Sequence, residues 1–177
     1  MRVKRSGPVT VRRAPGNGCE GRIAFGREVR RAALGRGGIA TLKREGDGGT
    51  PRGRFPVREV LYRADRGMAP RTRLSLRAIR DHDGWCDDPA DVNYNRLVRL
   101  PSRRSAEGLK RADRLYDVVI VLGYNDVPRV RGKGSAIFIH LARPGLTPTE
   151  GCIALTRRDL ALLLAYLGPR STIMIGA

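Results

Sequence analysis

Histidine, cysteine, lysine and aromatic residues are all scarce in this chain, and each scarcity closes off a class of protein. The two histidines and three cysteines (Cys19, Cys86 and Cys152) lie far apart with no C-x-x-C spacing, so neither a zinc site nor a disulfide framework is indicated. An odd cysteine count leaves at least one thiol free. No run reaches the ~18 apolar residues of a membrane span. The basic start "MRVKRSGPVTVRR" is followed by no apolar stretch, so neither a transmembrane segment nor an export signal is recognisable. Aromatics make up only 5% of the chain, the RNP1 aromatic pattern and zinc-finger spacing are missing, and nucleic-acid binding is disfavoured. "GNGCEG" at 16–21 fits G-x-G-x-x-G but lacks the strand and helix of a βαβ unit, and "EGDGGTPRG" at 45–53 lacks the Gly-Lys-Ser/Thr of a phosphate loop.

What is present fits one globular domain over residues 1–177, a length that buries a real core once and is short for two. Apolar residues at 41%, with 22 Gly and 11 Pro, imply a turn-rich, mostly β chain. The net charge of +18 rests almost wholly on arginine, since only Lys4, Lys43, Lys110 and Lys133 are lysine. Such a charge fits an anionic partner or a solvated arginine-rich surface; it speaks to partners and not to fold. Nothing in the pattern specifies an oligomeric state.

Along the chain, "PVTVRR" and "GRIAFG" read as edge or hairpin strands. Ile39 to Lys43, the turn "EGDGGTPRG" and Phe55 to Tyr62 read as a long hairpin. "TRLSLRAIR" alternates, with Leu74, Leu76 and Ala78 on one half-buried face. The polar stretch from Asp81 to Asp117 reads as a long structured excursion with one short helix at Ala106 to Arg111. "YDVVIVLGYN" and "SAIFIHLA" are apolar enough for buried central strands. Then comes a helix at 157–167, with Thr156 as N-cap, Asp159 three residues on, Leu160, Leu163, Leu164 and Leu167 on one stripe, and Gly168-Pro169 as its stop. "STIMIGA" closes the chain as a strand.

The chemistry concentrates in "IFIHLARPGLTPTEGCIAL", residues 137–155. Strand parity puts Phe138 and His140 on one face and Ile137, Ile139 and Leu141 on the other. The same parity sets Cys152 and Ala154 opposite Ile153 and Leu155. A loop of this length suits two adjacent strands, which would bring thiol and imidazole together. Such a pair can act as nucleophile and base, with Gly151 letting substrate approach and the Cys152 N–H facing a developing oxyanion. A buried free cysteine beside a core histidine satisfies the same spacing.

Thr50, Pro51, Gly53 and Phe55, followed by His140 and then Thr149-x-Gly151-Cys152, resemble the L,D-transpeptidase catalytic domain, the YkuD type, most closely over 37–167. The resemblance implies a mostly β, mixed sandwich-like assembly with a C-terminal capping helix. It implies Cys152 as nucleophile, His140 as base and Gly151 at the nucleophile. Leu141 stands where the family usually has Gly and Ala154 where it has Arg, which marks a divergent subgroup. Arg143 either replaces that arginine or is a solvated loop residue. Thr149, Tyr124, Asn125 and Trp85 are candidate substrate contacts. Trp85, Asp87, Asp88, Asp91, Tyr94 and Asn95 either line a cleft or cap turns; Tyr124 and Asn125 sit just past a strand end, where ligands meet a sheet.

On this resemblance the expected activity is a cysteine L,D-transpeptidase crosslinking peptidoglycan stem peptides through a thioester, needing no cofactor and no metal. The same site with water as acceptor would be an L,D-carboxypeptidase or endopeptidase. An alternative of another class is a non-catalytic cell-wall or nucleic-acid binding module. The inferred substrate implies the periplasm or cell envelope.

Overall fold

The structure, a computed structural model, describes residues 7–176, so the first residues of the basic start lie outside it. In chain order the strands are β1 (Val9–Arg13), β2 (Glu20–Phe25), β3 (Glu28–Ala33), β4 (Ile39–Ala40), β5 (Thr50–Pro51), β6 (Gly53–Tyr62) and β7 (Leu76–Ala78). They continue as β8 (Asp83–Cys86), β9 (Leu97–Arg99), β10 (Ala106–Gly108), β11 (Val118–Leu122), β12 (Phe138–Leu141) and β13 (Ile153–Leu155); helix α1 (Arg157–Tyr166) and β14 (Thr172–Ile175) complete the chain.

The main sheet runs β11-β12-β13-β3-β2-β1-β14-β6-β7, and β6 also pairs with β11, so the sheet closes on itself as a barrel. It is mixed: β1–β14, β6–β7 and β12–β13 are parallel and the remaining pairs antiparallel. Closure removes the edges that a twisted sheet would otherwise expose. Apolar residues from all eight ring strands, including Val9, Val11, Ile23, Phe25, Val60, Ile120, Ile139, Ile153 and Ile173, form the inner cluster. Leu160, Leu163, Leu164 and Leu167 of α1 join it, and the Thr156 side chain accepts from the Asp159 N–H to cap the helix.

A second, smaller cluster, including Leu61, Leu109, Tyr116, Val119, Val121, Phe138 and Cys152, lies on the outer face of β6, β11 and β12. Over that face folds a three-stranded sheet, β10-β8-β9. The polar excursion is therefore a sheet and not a loop with a helix: Ala106–Gly108 pairs with β8, Glu107 facing Trp85. Strands this short display no period, and without the apolar run that marks a buried strand these three give a pattern reading nothing to hold.

Two other expectations are corrected. The strand beginning at Ile39 ends at Ala40 and pairs in parallel with β5, so it forms no hairpin with β6. Leu76 is 38% exposed while Leu74 is buried, because only Leu76–Ala78 forms a strand, parallel to β6. Glu28–Ala33, not foreseen as a strand, joins β2 to β13.

Candidate active site

β12 and β13 are adjacent and parallel, with Ile139 opposite Ile153, His140 opposite Ala154 and Leu141 opposite Leu155. Parity then sends Ile139, Leu141, Ile153 and Leu155 into the inner cluster and leaves Phe138, His140, Cys152 and Ala154 on the outer face. Parallel neighbours need a long crossover, and residues 142–152 supply it. Its turn back begins where Ala142 N–H donates to Leu155 O at 2.7 Å.

The approach to Cys152 is held by three backbone segments in contact. Thr149 N–H donates to Leu34 O at 2.9 Å and Arg36 N–H to Thr149 O at 2.8 Å. The Thr149 hydroxyl donates to Cys152 O at 2.6 Å and accepts from Gly151 N–H at 3.2 Å. The buried Thr50 hydroxyl accepts from Gly35 N–H at 2.8 Å and reaches Cys152 O at 3.5 Å. Gly151 adopts φ +134°, and a Cβ there would meet Gly49 O at 2.9 Å. Glycine is required by both the dihedral and the contact. Thr50 of the early motif and Thr149 of the late one thus clasp one carbonyl.

The Cys152 thiol donates to Ala136 O at 3.1 Å and accepts from Phe138 N–H at 3.4 Å. The His140 Nδ1 lies 2.8 Å from Leu141 O; a carbonyl only accepts, so Nδ1 carries the proton and Nε2 keeps its lone pair. Both groups are deeply buried, at 8% and 6% exposure. Burial pushes the His140 imidazole down to about 4; the Leu141 carbonyl opposes this, while Arg111 and Arg143 add to it. Burial likewise drives the Cys152 thiol up to about 12, and the Glu107 carboxylate adds to the shift. Near neutral pH the pair therefore rests as a neutral thiol and a neutral imidazole.

Both open onto one cavity of about 480 Å³, also lined by Glu45, Asp87, Glu107, Arg111, Tyr116, Arg143, Thr149 and Ala154. Among the sequence candidates, then, Cys152, His140, Thr149 and Arg143 are brought together, with Gly151 directly behind the thiol. Arg143 is exposed on the cavity wall, and Ala154 lines the cavity opposite His140.

Trp85, Tyr124 and Asn125 do not line it. Trp85 packs edge-on against Phe138, ring centroids 5.1 Å apart, and donates to Asn95 Oδ1 at 2.9 Å. Asn125 Nδ2 donates to Val130 O and Gly134 O, each at 2.9 Å, and the Tyr124 hydroxyl donates to Lys133 O. Trp85 and Tyr124 instead border a separate cavity of about 240 Å³ with Arg58, Arg96 and Arg129. In the "GWCDDPADVNYN" block, Asp88 and Asp91 cap turns through Ala90 and Asn93 N–H. Asn95 Oδ1 also accepts from Ala136 N–H at 3.1 Å, which fixes the segment whose carbonyl accepts the thiol's hydrogen bond.

Glu107, Arg111 and Tyr116 escaped the sequence reading. The Tyr116 ring stands edge-on to His140, centroids 5.3 Å apart, and its hydroxyl donates to Glu107 Oε1 at 2.8 Å. Arg111 reaches Glu107 at 3.2 Å, pairs with both Asp113 oxygens at 2.9 and 2.7 Å and lies 5.1 Å from the Tyr116 ring centre. Their only sequence signal was clustering in the excursion just before the first central strand.

No cluster of metal-ligating side chains occurs among the described residues, and no described helix is long and apolar enough to cross a membrane. Residues 17–175 match the family model of the YkuD L,D-transpeptidase catalytic domain, nearly the whole chain. The protein belongs to that family of catalytic domains. Neither a curated protein nor a solved structure matches it.

Proposed function

We propose that the protein is a cysteine L,D-transpeptidase that crosslinks peptidoglycan stem peptides through a thioester on Cys152. The observation that carries this reading is the placement of Cys152 and His140 on one face of two paired strands, opening onto a single cavity. A donor stem enters with its scissile amide against the thiol. His140 Nε2 takes the thiol proton as sulfur attacks, and it returns that proton to the departing amine. The Cys152 N–H faces the developing oxyanion, a contact typically worth ~3 kcal/mol. An amine of a second stem then attacks the thioester, His140 relays its proton to sulfur, and the thiol is restored.

Neutral resting partners suit this sequence of events. The cavity holds a thiol until a carbonyl arrives, and proton transfer accompanies attack. The net charge of +18 favours approach to an anionic wall polymer, and such a substrate locates the activity in the cell envelope.

Purified protein incubated with muropeptides, beside Cys152→Ala and His140→Ala, tests the proposal. Crosslinked dimers that disappear in both variants are expected, a loss of at least about 10³-fold for Cys152→Ala. Shortened monomers in place of dimers would assign water as the acceptor. Dimers persisting in Cys152→Ala would refute the thioester route.

A further inference from the structure

In a chain of net charge +18, the cavity at Cys152 is lined by four carboxylates, Glu45, Asp87, Glu107 and Glu150, against two guanidiniums, Arg111 and Arg143. The sign of the local charge is thus opposite to that of the molecule. Three of these groups are already engaged. Glu45 accepts from the Tyr94 hydroxyl, Glu150 pairs with Arg36 at 2.7 Å, and Arg111 is committed to Asp113 at 2.7 Å.

Glu107 differs. Its two donors, the Tyr116 hydroxyl and Arg111, both fall on Oε1, and among the described residues none falls on Oε2. The side chain keeps 30% exposure in the cavity, and its charge is felt at the thiol. Pairing of β10 with β8 holds its backbone, and Tyr116, itself edge-on to His140, holds its carboxyl in the cavity that His140 also lines. The carboxyl sits above the ordinary carboxylate range, burial outweighing Tyr116 and Arg111, so it accepts a proton more readily than a surface glutamate does.

The proton balance of the second half-reaction calls for such a group. An acceptor amine arrives as an ammonium, which has no lone pair with which to attack. Joining it to the acyl group releases two protons: one restores the Cys152 thiol through His140, and the other must leave by another route. Water already has a lone pair and needs only the deprotonation that His140 handles during attack; the carboxylic acid it forms loses its proton to solvent afterwards. Building on the transpeptidase reading, we propose that Glu107 binds the ammonium of the acceptor through Oε2 and takes its first proton, selecting a primary amine over water. The proton passes from Glu107 to solvent, the nitrogen–carbonyl bond forms, and the carbon–sulfur bond breaks.

The test measures partition of the acyl-enzyme. Wild type and Glu107→Gln are loaded with a donor stem peptide, adduct formation is followed by intact mass, and amine-captured and water-captured products are counted over a range of acceptor stem concentrations. Glutamine keeps the Oε1 acceptor for Tyr116 and Arg111 but removes charge and basicity. The expected result is a fall of about 100-fold in the ratio of crosslinked to hydrolysed product, with higher acceptor concentration needed for capture. The ratio counts only molecules that have already acylated, so partial unfolding does not imitate it. Equal ratios in the two proteins would overturn the proposal alone, as would a Glu107→Gln protein that forms no adduct while wild type does. Absence of a donor adduct in wild type would overturn the transpeptidase reading and this proposal with it.

Discussion

At Cys152 the fold opposes ionisation. The thiol is held up at about 12, first by burial and then by Glu107, against the Phe138 N–H and Lys43. A free cysteine titrates near 8.5, so at pH 7–8 the thiolate fraction is lower by about three orders of magnitude. The chemistry therefore starts from a neutral thiol, and a preformed thiolate–imidazolium pair is not expected. Alkylation of Cys152 by iodoacetamide, resolved from Cys19 and Cys86 by peptide mass, should rise about tenfold per pH unit from pH 7 to 10 without levelling. A plateau near neutrality would show that the resting pair is already ionised. The same residue was legible in the sequence because Thr-x-Gly-Cys and strand parity surround it. Glu107 was not, because its orientation depends on a three-residue strand paired across the chain with Trp85.

The crossing of the 34–36, 48–50 and 149–151 segments is the element that holds Cys152, the proposed nucleophile, in place. At Gly35 a Cβ would fall 2.1 Å from Gly48 O and 2.9 Å from Gly151 Cα, and at Gly151 it would fall 2.9 Å from Gly49 O. These are backbone atoms and have little freedom to withdraw. Gly151→Ala should cost about 1–3 kcal/mol for the φ +134° conformation alone, read as a lower denaturant midpoint, with donor acylation reduced in the fraction that folds. Unchanged midpoint and acylation would mean that the segment readjusts freely. Some elements carried their own signals: the leucine stripe and Thr156 cap of the ten-residue α1, and the continuous apolar runs that hold the shorter β11 and β12. Their partners did not. The parallel pairing of β4 with β5 and the closure of β6 on β11 are choices among distant segments, and local pattern does not specify them. The turn residues Asp88 and Asp91 were foreseen as caps or cleft residues and cap turns.

For the whole molecule, burial of the neutral imidazole links folding to pH. His140 titrates at about 4 when folded, against an ordinary 6.5, so the unfolded chain binds its proton first. Stability from this group is present above pH 6.5 and is lost as pH falls towards 4, on the order of 2–3 kcal/mol. Buried carboxylates such as Asp117 are held below their ordinary range; burial opposes this, but Arg66 and Arg157 prevail. They titrate further down and are common to wild type and variant. Urea midpoints at pH 7.5 and 4.5 should therefore fall further for wild type than for His140→Gln; equal falls would show that the imidazole is protonated in the folded state. The barrel, the small covering sheet and the cavity between them all serve one claim, that Cys152 carries an acyl group from a donor stem to an acceptor. Intact mass of the protein mixed with a donor stem alone tests it most directly. The expected result is an adduct equal to the donor acyl group, mapped to Cys152 and absent from Cys152→Ala. An unmodified protein, or an adduct that survives in Cys152→Ala, would contradict it.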